Sequence, residues 1–226
     1  MTPIFSERLR PTEFADLIQP SAMVERLERM AEQRMPMNML FYGQPGVGKT
    51  SAARILLNKL DADYCEINGS METGIEHVRK NIEMFCVSMS MFSAVKICFI
   101  DECEYLSMNA QASLRGLIEK CTHVRFLLTA NDIKKMHPAL NSRCLPLCFD
   151  VGPIEAPEVI ARVVPRYQEK LRLLGYEIDA RRLHEILCTS FPDLRAVANR
   201  LEFEATPLAE RIEIGPREAN GREKAA

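Results

Sequence analysis

The sequence predicts an α/β fold, in which helices flank a parallel sheet, followed by a small helical domain. Five apolar runs of strand length alternate with segments of helical period, at 39–42, 63–67, 95–100, 124–129 and 145–149. Their hydrophobicity is continuous rather than alternating, which is typical of parallel strands that helices cover on both faces. After residue 150 the apolar positions have helical spacing alone.

Helices are predicted where apolar residues recur at i, i+3 and i+4, at about 50–60, 74–86 and 107–120. The segment VGPIEAP, which begins at Val151, has the composition of a linker. We therefore expect three parts: an α/β domain at 1–150, a helical domain at 151–206 and a polar tail at 207–226 that frays. Pro165 is expected to end or kink the first helix of the second domain.

The composition excludes several classes of protein. The chain has 226 residues, 47% of them hydrophobic, and its 29 basic and 31 acidic side chains give a net charge of −2, so any DNA contact must be local. No apolar run is long enough for a signal sequence or a membrane span, which predicts an intracellular, cytoplasmic protein without a membrane partner. Eight scattered cysteines without a CxxC pair indicate reduced core thiols rather than zinc ligands.

A phosphate-binding loop follows the first predicted strand. GQPGVGKT matches G-x-x-x-x-G-K-[ST] between a strand and a helix, and its residues, with the next one, are Gly43, Gln44, Pro45, Gly46, Val47, Gly48, Lys49, Thr50 and Ser51. Glycines let backbone amides surround the β-phosphate, the lysine bridges β and γ oxygens, and the threonine hydroxyl binds Mg²⁺. A glycine turn that only caps a helix would not need Lys49 and Thr50. The motif predicts ATP and Mg²⁺ as cofactors.

Two carboxylates, Asp101 and Glu102, follow the third predicted strand. At the carboxyl edge of the sheet, Asp101 would hold the hydrated magnesium and Glu102 would orient and deprotonate the attacking water. Two solvated carboxylates at the start of a turn are the alternative. Because kinases must exclude water, a second carboxylate beside the phosphate loop favours hydrolysis over phosphoryl transfer to another substrate.

Three further polar residues carry weaker signals. Asn131 ends the fourth strand, where its amide could hold the attacking water, although a turn-forming asparagine is an equal alternative. Arg143 and Arg195 stand near predicted helix ends. Arginine at such positions is usually solvated, but its planar fork also suits a γ-phosphate.

Six blocks of sequence, in order, resemble those of AAA+ ATPase subunits of sliding-clamp loaders. They are SERLRPTEFADLI at 6–18, NGSMETGIEHVRKNIEMF at 68–85, DECEYLSMNAQASLRGLIE at 101–119, TAND at 129–132, ALNSRC at 139–144 and FPDLRAVANRLE at 191–202. The family includes replication factor C small subunits, bacterial gamma/tau subunits and the large loader subunit of T-even phages. FPDLR and the lack of a four-cysteine module make the chain more similar to the phage and replication factor C branch.

The resemblance implies roles for residues that the motifs alone leave open. Arg10 and Pro11 would lie beside the adenine. Arg143 would act in trans, on the γ-phosphate of a neighbouring subunit, and Arg195 on the chain's own nucleotide. The remaining implied residues are Gln111 and Arg115, which would couple adjacent sites, and Arg79 and Lys80, which would touch template phosphates. A solvated helix face is the alternative for the last pair.

By the same resemblance, the chain would open a sliding clamp with bound ATP, load it on primed DNA and release it on hydrolysis, within a ring or spiral of loader subunits. Leu9 stands where relatives usually have tyrosine, and Thr73 where they often have a basic residue, so the family's response to DNA is not carried over to this chain. Relatives continue into a collar domain that is expected to be absent here. Two alternatives remain: another AAA+ ATPase of replication or repair, of the helicase-loader type, and a scaffolding loader subunit without turnover.

Overall fold

The computed structural model describes residues 5–35, 37–71, 75–90, 93 and 95–208. Thr73 and residues 209–226, which make up most of the predicted tail, lie outside this part of the chain. The helices are α1 (Phe5–Arg8), α2 (Ser21–Glu32), α3 (Lys49–Lys59), α4 (Ile75–Val87), α5 (Met108–Lys120), α6 (Pro138–Asn141), α7 (Ala156–Leu173), α8 (Ala180–Ser190) and α9 (Leu194–Glu204). The strands are β1 (Met39–Tyr42), β2 (Asp63–Asn68), β3 (Lys96–Asp101), β4 (Val124–Ala130), β5 (Leu145–Cys148), β6 (Tyr176–Glu177) and β7 (Thr206–Pro207).

The central sheet has five parallel strands in the order β2-β3-β4-β1-β5. The chain passes from β1 to the far edge at β2, returns through β3 and β4, and then crosses β1 to form β5. The fold class predicted from the sequence is confirmed. Parallel strands bring their carboxyl ends to one edge, and a ligand site is expected where the strand order reverses, beside β1.

Alternate residues of the central strands enter two cores on opposite faces of the sheet. Ile100 and Leu128 pack with α4 and α5. Phe99 and Leu127 pack with α2 and α3, where Phe41 and Phe149 also meet with ring centroids 4.9 Å apart. Each central strand is covered on both faces because both sets of its side chains are apolar.

The two edge strands depart from that prediction. In β2, Ile67 is buried, while Tyr64 and Glu66 are exposed. In β5, both Pro146 and Cys148 are exposed. An edge strand has one neighbour and less helix cover, so part of its surface meets solvent. Continuous helix cover therefore holds for the inner strands and not for the edges.

The helical part after residue 150 differs from its prediction in two ways. Helix α7 continues past Pro165 to Leu173, because its apolar face, with Val163, Tyr167 and Leu171, packs into a third core and outweighs the lost backbone bond. The segment is also not wholly helical. Strands β6 and β7 pair antiparallel, through Tyr176 with Pro207 and Glu177 with Thr206.

The N-terminal segment joins the helical part. Phe5, Leu9 and Ile18 are buried in the third core together with residues of α7, α8 and α9. Arg162 of α7 donates hydrogen bonds to the carbonyl oxygens of Ala15 and Leu17. A division at residue 150 therefore separates the elements along the sequence, but the core of the second part also takes in residues from the first. Among the described helices, none is long and apolar enough to cross a membrane.

The cysteines are free thiols, and most lie in the cores, but two do not match the prediction of core residues. Cys148 on edge strand β5 and Cys188 on α8 are exposed. In the part of the chain that the structure describes, no three cysteine, histidine, aspartate or glutamate side chains converge to hold a metal ion.

Candidate nucleotide-binding site

The loop between β1 and α3 turns at three glycines with left-handed or related backbone geometry. The φ angles are 145° at Gly43, 83° at Gly46 and 94° at Gly48, which side chains with a Cβ rarely adopt. Space is short as well: a Cβ on Gly46 would lie 2.2 Å from Oδ1 of Asp193. Glycine is therefore required in this loop for two reasons: the backbone angles, and the close approach of Asp193 to Gly46.

Lys49 begins α3 and points into the loop. Its Nζ donates to the carbonyl oxygens of Gly43 at 2.7 Å and Gln44 at 2.8 Å, and to Oδ1 of Asn131 at 2.9 Å. Burial lowers the pKa of the Lys49 ammonium, and the charges of nearby carboxylates, Glu104 first among them, oppose that shift. The Lys49 ammonium thus makes three hydrogen bonds at the position where phosphate oxygens would be bound.

Thr50 and Asp101 lie together at the carboxyl edge of the sheet. Thr50 Oγ1 lies 2.9 Å from Oδ1 of Asp101 and donates to that carboxylate. Thr129 of β4 also donates to Asp101 Oδ1, at 2.6 Å, and accepts the backbone N–H of Glu102 at 2.9 Å. A hydroxyl and a carboxylate are hard oxygen donors of the kind that Mg²⁺ takes in phosphate sites, so these residues fit that ion.

Glu102 has left-handed backbone angles, φ 54° and ψ 44°, directly after β3. It lines a cavity of about 90 Å³ together with Lys49, Thr50, Asn131 and Arg195. Positive φ is uncommon outside glycine, and here it turns the chain at the end of the strand. The five side chains come from four separate segments, and one small polar cavity collects them.

A second cavity, of about 170 Å³, adjoins the first and has a more mixed lining. Arg10 and Pro11 line it on one side, Tyr167 and Asn199 of the helical part on the other, and Ser51 and Arg195 line both cavities. The residues that the sequence assigned to the adenine and to the phosphates thus border two neighbouring spaces joined at Ser51 and Arg195.

The start of α9 touches the phosphate loop. The backbone N–H of Leu194 donates to the carbonyl oxygen of Gly46 at 3.0 Å. Asp193 caps α9 by accepting the N–H groups of Arg195 and Ala196, at 2.9 and 3.2 Å. Asp150 meets the loop from the other side, where its Oδ1 accepts the N–H of Gln44 at 2.6 Å.

The comparisons with known proteins agree with this geometry. A sequence profile of the family described as "ATPase family associated with various cellular activities (AAA)" matches residues 39–148, from β1 to β5. The replication factor C small subunit of Methanothermobacter thermautotrophicus is 32% identical over 212 residues, which are 91% of this chain. The part of the chain from β1 to β5 thus matches the AAA family, and the chain as a whole is similar to replication factor C subunits.

Other relatives of the chain have similar names. A probable replication factor C subunit 5 of Dictyostelium discoideum is 31% identical over 87% of the chain and 57% of that protein. Replication factor C subunit 5 of Mus musculus is 33% identical over 87% of the chain and 58% of that protein. With the archaeal subunit, of which 64% is covered, the chain spans about three fifths of these relatives' length.

Solved structures agree with the AAA fold. Thermotoga maritima RuvB, titled a Holliday junction branch migration motor, superposes with a TM-score of 0.53 at 18% identity, over 87% of this chain and 73% of that one. At this identity the likeness concerns the fold alone.

Two other predicted site residues, Arg143 and Arg115, lie outside the cavities. Arg143, after α6, is held by Glu119 of α5 and by the carbonyl oxygen of Ala139 at 2.9 Å. Arg115 is exposed and pairs with Glu119 at 3.4 Å. Neither arginine lines its own phosphate cavity.

Gln111 and Arg115 do not share an environment, although they are one helical turn apart on α5. The Gln111 side chain is buried, donates to the carbonyl oxygen of Leu106 at 3.0 Å and accepts the N–H of His137 at 2.7 Å. Gln111 thus ties α5 to the segment that leads into α6, whereas Arg115 faces solvent.

The predicted DNA-contacting residues lie on the exposed side of α4. Arg79 pairs with Glu83 one turn later, at 2.9 Å, and Lys80 is exposed. Leu9, at the position where relatives have tyrosine, is buried in the third core. Arg79 and Lys80 are both at the surface. Their exposure is compatible with contact to DNA phosphates and equally with a solvated helix face.

Sequence reasoning missed several residues that support the site. Thr129 orients Asp101, Asp150 holds the phosphate loop, and buried Gln19 donates to the carbonyl oxygens of Val47 and Phe149 at 3.2 and 2.9 Å. Glu104 accepts the backbone N–H of Asn131. Thr129 and Glu104 both stand within motifs that the sequence analysis quoted. A polar residue inside the apolar strand β4 was the available signal for Thr129, whereas Glu104 lies in the short 3-10 helix after β3 and carried no such signal.

Proposed function

We propose that the chain is the ATPase subunit of a DNA sliding-clamp loader, which opens and loads the clamp on primed DNA with bound ATP and releases it on hydrolysis. The observation that carries the proposal is the convergence of Lys49, Thr50, Asp101, Glu102 and Asn131 at one sheet edge. Its relatives are named replication factor C subunits, and these names favour a clamp loader among the possible ATPases.

ATP binding replaces contacts that the loop makes with itself. Lys49 releases the carbonyl oxygens of Gly43 and Gln44 and donates to phosphate oxygens, since a charged acceptor gives the stronger hydrogen bond. Backbone amides of the loop and the start of α3 take the remaining phosphate oxygens. Arg10, Pro11 and the start of α9 would border the base, so bound ATP would add to the contacts that already exist between the helical part and the phosphate loop.

Hydrolysis uses the residues on the other side of the phosphates. Glu102 accepts a proton from the attacking water, and the Asn131 amide fixes that water's position. The Thr50 hydroxyl would bind Mg²⁺, and Asp101 would hold the water molecules around the ion. The ion would neutralise charge on the phosphates. Arg195 adds positive charge from its own chain, and Arg143 would do so for a neighbouring subunit.

An exposed apolar surface at the end of α4 supports a protein partner. Val87 and Met89 are 83% and 91% exposed, and Met84 of the same helix is also exposed. Lys96 fixes this segment by donating to the carbonyl oxygens of Phe85 and Ser88, which satisfies the last turn of the helix. Clustered large apolar side chains on a surface mark sites of protein association, and we assign this one to the clamp.

The experiment combines the chain with full-length loader subunits, the sliding clamp and primed DNA from the same organism. We expect clamp and primed DNA together to raise ATP turnover, and Val87→Asp with Met89→Asp to abolish the rise caused by the clamp. Leu173→Asp, at a residue 78% exposed on α7, is the matched control and should leave that rise unchanged. A rate of ATP turnover that does not change when the clamp is added would contradict the clamp-loading function.

A helicase-loader type of ATPase would form no complex with the clamp but would respond to a helicase, so the same mixture separates it from a clamp loader. A scaffolding subunit would show no turnover under any condition. We disfavour the scaffold because Glu102, placed in the phosphate cavity beside Asn131, has no role in an assembly that does not hydrolyse ATP.

A further inference from the structure

Glu104 lies behind the phosphate cavity and contacts the segment that carries Asn131. Its Oε1 accepts the backbone N–H of Asn131 at 2.8 Å. The side chain of Asn131 in turn accepts a hydrogen bond from Lys49 Nζ at 2.9 Å. Glu104 therefore stands two contacts from the lysine of the phosphate loop, with Asn131 between them.

The second carboxylate oxygen of Glu104 is unusual. Glu104 Oε2 is buried and has no hydrogen-bond partner among the described residues. Leaving a charged oxygen unpaired costs free energy, so a carboxylate here needs a compensating role. The nearby positive charge is the Lys49 ammonium, on which Glu104 acts more strongly than Asp150 or Asp101 does.

Glu104 differs from Glu102 in what it faces. Glu102 lines the phosphate cavity, whereas Glu104 does not. Glu104 turns instead toward the backbone at the end of β4, after Ala130, where the strand stops. Because Glu104 contacts the Asn131 backbone and does not line that cavity, we assign it an action through Asn131 and not the deprotonation of water at the phosphates.

We propose that Glu104 is a positioning residue for ATP hydrolysis, which fixes the backbone of Asn131 so that its side-chain amide stays against Lys49 and the γ-phosphate. The proposal rests on the proposed ATPase function. Losing the hydrogen bond lets the end of β4 shift, and a shift of about 1 Å in a group that holds the attacking water can cost about 100-fold in rate. ATP binding, which depends on the loop amides and Lys49, should change little.

The first test compares Glu104→Ala with Glu104→Gln, because glutamine keeps an oxygen that can accept the Asn131 N–H. In the assembled loader we expect Glu104→Ala to lower kcat by at least about tenfold, with Kd for a non-hydrolysable ATP analogue within about threefold of wild type. Glu104→Gln should recover kcat to within about threefold of wild type. Loss of analogue binding in parallel with kcat, or a glutamine variant no better than alanine, overturns the proposal.

A double-mutant cycle distinguishes positioning from general damage to the fold. In the Asn131→Ala background, the added Glu104→Ala change should lower kcat by less than about twofold, because the side chain through which Glu104 acts is already gone. A merely structural glutamate would cost the same factor in both backgrounds, and that result would overturn the proposal.

Hydrogen exchange measured at the Asn131 amide tests the contact without any turnover. Its exchange should become at least about tenfold faster in Glu104→Ala and should stay near the wild-type rate in Glu104→Gln. Unchanged exchange in the alanine variant overturns the proposal whatever kcat does. If the wild-type loader hydrolyses no ATP, the proposed function fails, while accelerated exchange with intact analogue binding would still place Glu104 as the residue that holds Asn131.

Discussion

Arg143 donates two hydrogen bonds to a single carboxylate oxygen of Glu119, from Nε at 2.9 Å and from Nη2 at 2.5 Å. A third nitrogen, Nη1, donates to Ala139 O and Ser142 Oγ. The hydrogen bond from Arg143 also lowers the pKa of Glu119. To reach a phosphate on a neighbouring subunit, Arg143 must exchange Glu119 for that phosphate.

The trans role of Arg143 predicts complementation between two inactive chains. Arg143→Ala should leave ATP affinity near wild type but remove most turnover, and Lys49→Ala should weaken ATP binding itself. Mixed, the two variants form interfaces that combine an intact phosphate loop with an intact arginine. Steady-state ATP hydrolysis should recover on mixing. Full activity in Arg143→Ala alone, or in a wild-type monomer, would exclude the trans role.

Releasing Arg143 from its own chain should favour assembly-dependent turnover. Glu119→Ala removes the competing acceptor, so half-maximal turnover should occur at a protein concentration about two- to fivefold lower than in wild type, the range expected for an exposed ion pair. The matched control is Glu83→Ala, which breaks the exposed pair with Arg79 elsewhere. A Glu119→Ala chain that needs more protein than wild type would mean that Glu119 holds Arg143 in its active position.

DNA binding by a single chain should be weak and sensitive to salt. With a net charge of −2, attraction depends on local contacts such as Arg79 and Lys80. Lys80→Ala should weaken binding to all sequences alike and reduce the slope of log affinity against log salt by about one. Arg182→Ala is the control, since Arg182 pairs with Glu204 on the helical part. Nanomolar affinity of a verified monomer for duplex at about 0.2 M salt would contradict this expectation.

Thiol chemistry should divide the cysteines into two groups. Burial raises the pKa of Cys86 to about 12 and of Cys144 to about 12, so neither forms an appreciable thiolate near neutrality. Cys148 and Cys188 are exposed. Mass spectrometry after brief alkylation at about pH 8 should therefore find label on these two first and on Cys86 and Cys144 only after unfolding. Early labelling of Cys144 would show that its core opens.

Features that are contiguous in sequence were predictable. The phosphate loop and the Asp101 and Glu102 pair could be located because each occupies one short segment beside a buried strand, and the parallel sheet followed from the apolar runs. The exposed side of β2 was not evident, because an edge position depends on strand order and not on the strand's own residues. That α7 does not end at Pro165 was not evident for a similar reason, since packing of the rest of the helix decides whether it continues.

Contacts between distant segments could not be predicted from spacing. The ion pair of Arg143 and Glu119 joins the turn after α6 to α5. The sequence of neither segment indicates that the other is its partner. The contact of Glu104 with the Asn131 backbone likewise depends on how β3 and β4 end side by side. Strands β6 and β7 are two residues each and lie 29 or more positions apart, too short and too distant for a periodic signal.

The proposed function depends first on the cavity beside Lys49, which would bind and hydrolyse ATP with Glu102 as the general base. Glu102→Gln removes the base but leaves the phosphate loop unchanged, so an ATP analogue should bind within about threefold of the wild-type Kd while turnover falls by at least about 100-fold. The measurement is single-turnover hydrolysis of bound ATP in the assembled loader, with Lys49→Ala as the variant that loses binding. Glu102→Gln should hold its bound ATP unhydrolysed, and hydrolysis by this variant at the wild-type rate would exclude Glu102 as the general base.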